Sequence, residues 1–229
     1  MAKFTSSGKC RLCGQLVGKA QMTNHLKSCL KRTTPSASGS SETRSYHLVA
    51  EAPYSSYWLH LQASADATFR DLDGLLRRIW LECCGHCSAF RFPEEKLSSF
   101  MDFEEDLMKE IHKLMSQPLG RKLKPGLKFS YEYDFGSTTN LSFRVVAELP
   151  GLPKKRSFAL FARNEPPLIP CGQCSKPATQ VCAEHVYEDA GWLCDACAAE
   201  HECGEDMLMP IINSPRTGVC GYVGPSQEP

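Results

Sequence analysis

No run of the sequence approaches the roughly 18–20 consecutive apolar residues that a membrane-spanning helix needs. The first residues, MAKFTSSGKCRL, lack the apolar core of a secretory signal. Together these absences predict a cytoplasmic chain. A glycine-rich phosphate loop, a Gly-x-Ser-x-Gly elbow and a His-Glu-x-x-His helix are missing too, so no familiar catalytic constellation is on display and a non-enzymatic protein is expected. Net charge is also lacking, because 26 Lys and Arg balance 26 Asp and Glu. That balance hides a strong asymmetry.

Residues 1 to 32 carry Lys3, Lys9, Arg11, Lys19, Lys27, Lys31 and Arg32 and no acid, whereas residues 171 to 209 carry Lys176 against Glu184, Glu188, Asp189, Asp195, Glu200, Glu202, Glu205 and Asp206. Such a split speaks to partners: the basic end suits an anion and the acidic end repels one. With 229 residues and 42% hydrophobic content, the chain can form one medium domain with attached modules. Cysteine is abundant. Most of the thirteen cysteines fall near the two ends in Cys-x-x-Cys and histidine-containing patterns, which in a reducing compartment points to metal rather than disulfides.

At the N-terminus, Cys10 and Cys13 are followed by His25 and Cys29 in the pattern C-x2-C-x11-H-x3-C. His25 and Cys29 share one helix face and the Cys-x-x-Cys turn offers two thiolates, so the four close a tetrahedral Zn(2+) site. Thirty residues bury too little to fold without such a staple. Val17 and Met22 supply the apolar residues of a small ββα unit, and the arrangement resembles a CCHC variant of the ββα zinc-finger family. In that family polar residues of the helix enter the major groove, and here Lys19, Gln21, Asn24 and Lys27 occupy comparable positions. With Arg11, Lys31 and Arg32 they form the expected nucleic-acid face, DNA before RNA. Residues 33 to 44, TTPSASGSSETR, read as a flexible tether that leaves the finger free to move.

The body of the chain is organised around KFSYEYDFGSTTNLSFRVVAE. Phe129, Tyr131, Tyr133 and Phe135 alternate with Ser130, Glu132 and Asp134, and Leu141, Phe143, Val145 and Ala147 repeat the pattern, which predicts a β-hairpin with a five-residue loop. Glu132 and Asp134 then sit on its solvated face. Strands are expected over 46 to 52 and 57 to 63, and near 158 to 161 after the basic turn at 154 to 156. A helix begins at Thr68, with Asp71 completing an acidic capping box and Leu72, Leu75, Leu76, Ile79 and Trp80 as its apolar stripe. Gly85 is expected to cap its end. A second helix is expected over 100 to 115. Between them, Cys83, Cys84, His86 and Cys87 read as small core residues packed beside Trp80 and Phe90, with a metal site or a thiol nucleophile as the alternatives.

FRDLDGLLRRIWLECCGHCSAF and FSYEYDFGSTTNLSFRVVAE, with the motif Tyr133 to Gly136, resemble the plasmid pRi open-reading-frame-three-like family, also labelled TnpR-like transposon-passenger proteins. The resemblance spans about residues 45 to 165. It implies a compact α+β domain with a sheet covered by helices, and an association with mobile elements.

Toward the C-terminus come Cys171 and Cys174, Cys182 and His185, Cys194 and Cys197, then His201 and Cys203. Cys171, Cys174, Cys194 and Cys197 have a zinc-ribbon spacing, and alternation of the pairs predicts a cross-brace with a second Zn(2+) at Cys182, His185, His201 and Cys203; the alternative for that second set is a buried Cys182 with the other three on the surface of an acidic loop. The acidic surroundings favour a protein partner over nucleic acid. Cys220 is left over, as a buried thiol or a replacement ligand.

The expected architecture is therefore α+β: a central mixed sheet with covering helices (45 to 165), flanked by a small ββα zinc finger (1 to 32) and a C-terminal zinc-binding module (166 to 229). The expected function is nucleic-acid association through the basic finger. A zinc-stabilised protein-interaction adaptor is the alternative, and a thiol or metal-dependent enzyme at Cys83 to Cys87 the third reading.

Overall fold

The computed structural model describes residues 6–33, 43–94, 104–153 and 156–225. Residues 34 to 42 of the expected tether, the expected start of the second helix at 100 to 103, and Lys154 and Lys155 of the basic turn lie outside the described residues. The strands are β1 Ser7–Cys10, β2 Leu16–Gly18, β3 Arg44–Glu51, β4 Trp58–Ser64, β5 Ser88–Arg91, β6 Lys128–Tyr133, β7 Thr139–Pro150, β8 Phe158–Asn164, β9 Gln180–Cys182, β10 Trp192–Leu193 and β11 Leu208–Pro210. The helices are α1 Lys19–Thr33, α2 Phe69–Leu76, α3 Glu104–Met115 and the single turn α4 Asp195–Ala198. Two compact units result. One holds Met1–Leu75, Ser88–Tyr133 and Asn140–Glu165, and the other Leu76–Cys87, Asp134–Thr139 and Pro166–Pro229.

The fold is mixed α/β with few helices, and its main feature is an eight-stranded sheet in the order β2-β1-β8-β4-β3-β7-β6-β5. The expectation of a mixed sheet is corrected, because the strands pair antiparallel. Short connections join β1 to β2, β3 to β4 and β6 to β7, and a parallel pair would need a crossover of a dozen or more residues. The hairpin of β6 and β7 forms as its alternation predicts: Phe129, Tyr131, Tyr133, Leu141, Phe143 and Val145 are buried. Phe129 stacks on Phe143 at 4.8 Å, and Phe90 of β5 lies 4.8 Å from Tyr131.

The helix start at Thr68 also follows the sequence. Asp71 Oδ2 accepts from the Thr68 backbone N–H at 2.8 Å, and Thr68 Oγ1 accepts from the Asp71 N–H at 3.1 Å, so two orphan donors are satisfied reciprocally.

Two expectations fail at the ends of this pattern. Asp134 adopts φ 64 and leaves the strand, so the alternation stops at Tyr133 and Phe135 is 44% exposed instead of inward. Gly85 does not cap the helix. After α2 the backbone widens into a π-helix, Arg77–Leu81, with three consecutive buried residues, Ile79, Trp80 and Leu81; it ends where Glu82 turns extended.

The N-terminal unit is not a finger swinging on a tether. Its strand β1 pairs with β8, Gly8 opposite Asn164 and Cys10 opposite Ala162, which makes the β1–β2 hairpin the edge of the large sheet. Met22 and Leu26 of α1 are buried in one cluster with Trp58 and Phe161. That docking covers the second face of β4, where Trp58 and His60 point away from Leu59 and Leu61 and all four are nonetheless buried.

In the other unit a small antiparallel sheet runs β10-β9-β11. Its strand β11 pairs with β9, Met209 opposite Val181.

Candidate metal centres

Cys10 ends β1, and the chain turns at once: Gly14 donates its N–H to the Cys10 carbonyl at 2.8 Å, and Cys10 donates to the Gln15 carbonyl at 2.9 Å. Gly14 takes φ 77, a left-handed value that suits glycine and closes the knuckle. This turn brings Cys13 over α1, whose residues 25 and 29 lie one helical turn apart. The ligand atoms of Cys10, Cys13, His25 and Cys29 all fall within 4.8 Å of one another, with Cys13 Sγ 3.3 Å from His25 Nε2.

The small sheet positions two further groups. Cys171 opens a second knuckle, in which Ser175 donates to the Cys171 carbonyl at 3.0 Å and itself adopts φ 61. Cys194 stands at the N-cap of α4 and Cys197 within its turn. Cys171, Cys174, Cys194 and Cys197 form one group, and Cys174 Sγ lies 3.5 Å from Cys194 Sγ. Cys182 ends β9 and gathers with His185, His201 and Cys203; His185 Nδ1 is 3.5 Å from Cys182 Sγ and 3.6 Å from Cys203 Sγ. Along the chain the four pairs alternate between the two groups, the interleaving that the spacing predicts.

These three groups can hold a metal ion, and the donor geometry fits one. A tetrahedral zinc with Zn–S of about 2.3 Å sets sulfurs about 3.8 Å apart and sulfur and imidazole nitrogen about 3.6 Å apart. The observed separations approach these values and are far from the roughly 2.05 Å of a disulfide. Electrostatics agree with the geometry. Burial pushes the Cys171 thiol up, but backbone N–H groups of Cys194, Gln173 and Cys174 bring it down to about 6, while its neighbours Cys174 and Cys194 push Cys197 up to about 12. Four sulfurs this close cannot all ionise without a cation among them. In the group with two histidines, His201 Nε2 is buried with no hydrogen-bond partner among the described residues, a polar group left to be satisfied.

Of the expected nucleic-acid face, Arg11, Gln21, Asn24, Lys27, Lys31 and Arg32 are exposed. Lys19 is only half-exposed and pairs with Glu51 at 3.6 Å, and Arg32 reaches Cys29 Sγ at 3.7 Å. Glu132 pairs with Arg91 at 3.2 Å. Asp134 is not the solvated carboxylate of the sequence reading. It is buried, and Arg216 Nη2 donates to its Oδ2 at 2.6 Å.

The expectation that Cys83 to Cys87 are core residues is corrected as well. Cys84 and Cys87 are exposed and Cys83 is half-buried. Sequence reasoning left Cys220 unassigned, yet Cys83, Cys84, His86 and Cys220 form a fourth group with ligand atoms within 4.8 Å. The signal was an incomplete local set of ligands beside one unclaimed cysteine.

No family model matches the chain, and no curated protein matches it. Among solved structures, the crystal structure of a protein of unknown function, MM3350 from Methanosarcina mazei Go1, superposes with a TM-score of 0.41 at 18% identity, over 53% of this chain and 70% of that one. A likeness this loose says nothing about activity. Among the described residues, no helix is long and apolar enough to cross a membrane.

Proposed function

We propose that the protein is a non-enzymatic, cytoplasmic zinc protein that contacts nucleic acid, DNA before RNA, through the exposed face of α1. Zinc is the ion because thiolate and imidazole donors in closed sets of four suit it and leave no coordination position for a substrate water. The sites are structural on this reading, and the basic face does the binding.

The observation that carries the reading is the composition of that face. Gln21 and Asn24, the third and sixth residues of α1, are exposed beside Lys27 and Lys31, with no acid in the helix. Amide side chains pair bidentately with adenine, and lysines one turn further on reach phosphates. Because the hairpin under the helix is part of a large sheet, the face is held rigid and loses little freedom on binding. An association with mobile elements rests on the family resemblance of the central sequence alone.

The test is fluorescence anisotropy of labelled duplex and single-stranded DNA and RNA with the zinc-loaded full chain over a salt series. Binding that weakens steeply with salt is expected, and Lys27→Ala with Lys31→Ala should lower the salt slope by nearly two. Absence of salt-dependent binding to every probe overturns the reading.

One observation favours a second role, as a protein-binding adaptor. In the C-terminal unit Glu184, Glu188, Asp189, Glu200, Glu202, Glu205 and Asp206 are all exposed, and Tyr187 stands 82% exposed among them. An acidic face with an aromatic anchor suits a basic protein segment.

A further inference from the structure

Cys83, Cys84 and His86 follow the π-helix, and Cys220 lies 136 residues beyond Cys84. Cys84 Sγ is 3.8 Å from Cys83 Sγ and 3.8 Å from Cys220 Sγ. His86 Nε2 lies 3.0 Å from Cys84 Sγ and 3.3 Å from Cys220 Sγ. The two sulfur separations equal the roughly 3.8 Å edge of a zinc–thiolate tetrahedron, and the set of three thiols and one imidazole is a familiar structural zinc donor set. We propose that these four residues form a fourth zinc site, closed between the loop after the π-helix and the C-terminal tail.

The surrounding backbone is shaped to present these ligands. Gly85 takes φ 81, which lets Cys84 and His86 turn toward the same point. In the tail Gly218, Cys220 and Gly221 adopt φ 76, 52 and 67. A cysteine in the left-handed region is strained, and such strain persists where something holds the residue in place. Coordination of Sγ supplies that hold. The loop is clamped from its other side: Arg77 donates to the His86 carbonyl at 2.7 Å and to Glu82 Oε2 at 2.7 Å, and the Gly85 N–H donates to Glu82 Oε1 at 2.5 Å.

A buried ion pair adjoins the group. Arg216 is fully buried, and its guanidinium hydrogen-bonds Cys83 as well as Asp134. Asp134 Oδ2 in turn stands 3.5 Å from His86 Nε2. The tail that carries Arg216 and Cys220 is fastened by Ser214 Oγ, which donates to the Trp80 carbonyl at 2.6 Å. Cys87 belongs to the same loop but lies outside the group and is exposed, so it serves as an internal control.

The site stands apart from the nucleic-acid reading, and the experiment separates them. Native mass spectrometry of the zinc-loaded full chain counts bound metal, and N-ethylmaleimide labelling with peptide mapping locates it. Four zinc ions are expected, falling to three in Cys220→Ser and in His86→Asn and staying at four in Cys87→Ser. In the unmutated protein Cys83, Cys84 and Cys220 should resist alkylation while Cys87 reacts, with the protection lost on chelation. This labelling needs no variant, so misfolding of Cys220→Ser leaves the result decisive. Three zinc ions together with alkylation of Cys83, Cys84 and Cys220 as fast as Cys87 would overturn the proposal, whatever the chain does with DNA.

Discussion

Arg216 Nη2 and Asp134 Oδ2 meet at 2.6 Å although 82 residues separate them in sequence. The guanidinium also donates through Nη1 to the Ser137 carbonyl and to Thr139 Oγ1, both at 3.1 Å, so one buried arginine ties the loop between β6 and β7 to the C-terminal tail. Burying a charge this deeply is tolerable only with a charged partner. Burial pushes the Asp134 carboxyl up, but the Arg216 hydrogen bond, the Gly136 N–H and the nearby positive charges hold it below the usual carboxylate range. The stability it contributes is therefore present above its unfolded pKa and lost as pH falls through the lower folded one.

Asp134→Asn leaves Arg216 without its counter-charge and is expected to cost roughly 3–5 kcal/mol in urea unfolding. Asp134→Leu with Arg216→Met removes both charges and should cost less than the sum of its two single changes. A strictly additive double-mutant cycle would show that the pair does not act as a unit.

Gly8 is where the N-terminal hairpin is allowed to join the sheet. A Cβ at this position would lie 2.5 Å from the tip of the Trp58 ring and 2.8 Å from the Arg163 carbonyl carbon, closer still to its oxygen. Gly8→Val should therefore push β1 off β8, at about 1–3 kcal/mol, by the same overpacking that penalises enlarged core residues. Hydrogen exchange reads it directly, with Lys9 and Arg11 amides losing protection while β3 and β4 keep theirs. Unchanged exchange at those amides would contradict the docking argument.

This docking marks the limit of what was legible. The grouping of Cys and His residues at Cys10 to Cys29 and Cys171 to Cys203 could be read because their partners sit at short, fixed spacings, and the hairpin of β6 and β7 because alternation reports burial directly. Thr68 and Asp71 signalled a helix start through chemistry local to four residues. Pairing of β1 with β8 leaves no such trace, since a four-residue strand has too little pattern and its partner lies more than 150 residues away. Cys220 escaped for the same reason: its neighbours in space are distant in sequence, and its positive φ cannot be anticipated for a cysteine. Asp134 looked like a strand residue until the turn took it inward to Arg216.

Two buried histidines give the fold a pH dependence of its own. His47 Nε2 and His60 Nδ1 lie 2.9 Å apart in β3 and β4, 1% and 2% exposed. Burial, reinforced by Arg144 and Lys27, brings His47 down to about 4; burial, then His47 and Arg144, bring His60 down to about 3. Both are neutral in the folded chain, whereas the unfolded chain protonates them near pH 6.5. Stability from this pair is thus complete above about pH 6.5 and declines as pH falls toward the folded values, by about 1.4 kcal/mol per pH unit for each histidine. Urea unfolding between about pH 4.5 and 7.5 should show this slope, and His47→Asn with His60→Asn should flatten it. An equal slope in the double variant would remove the histidines from the account.

Metal removal should act most severely on the small sheet of β9, β10 and β11. Its strands are three, two and three residues long, and among the described residues the cluster at Cys171 joins Leu193, Ala198 and Cys194 with partly buried Cys197 and Leu208. Apolar burial on this scale cannot offset the chain entropy of ordering residues 171 to 203. On the proposed metal reading, coordination bonds supply the difference, as they do in small metal-folded domains, where binding and folding are one equilibrium. Chelation with excess EDTA is therefore expected to expose the amides of Val181, Cys182 and Leu193 to rapid hydrogen exchange, and restored zinc to protect them again. Protection that survives complete removal of metal would mean that protein contacts alone hold these strands, and the groups at Cys171 and Cys182 would then be packed thiols and imidazoles rather than metal centres.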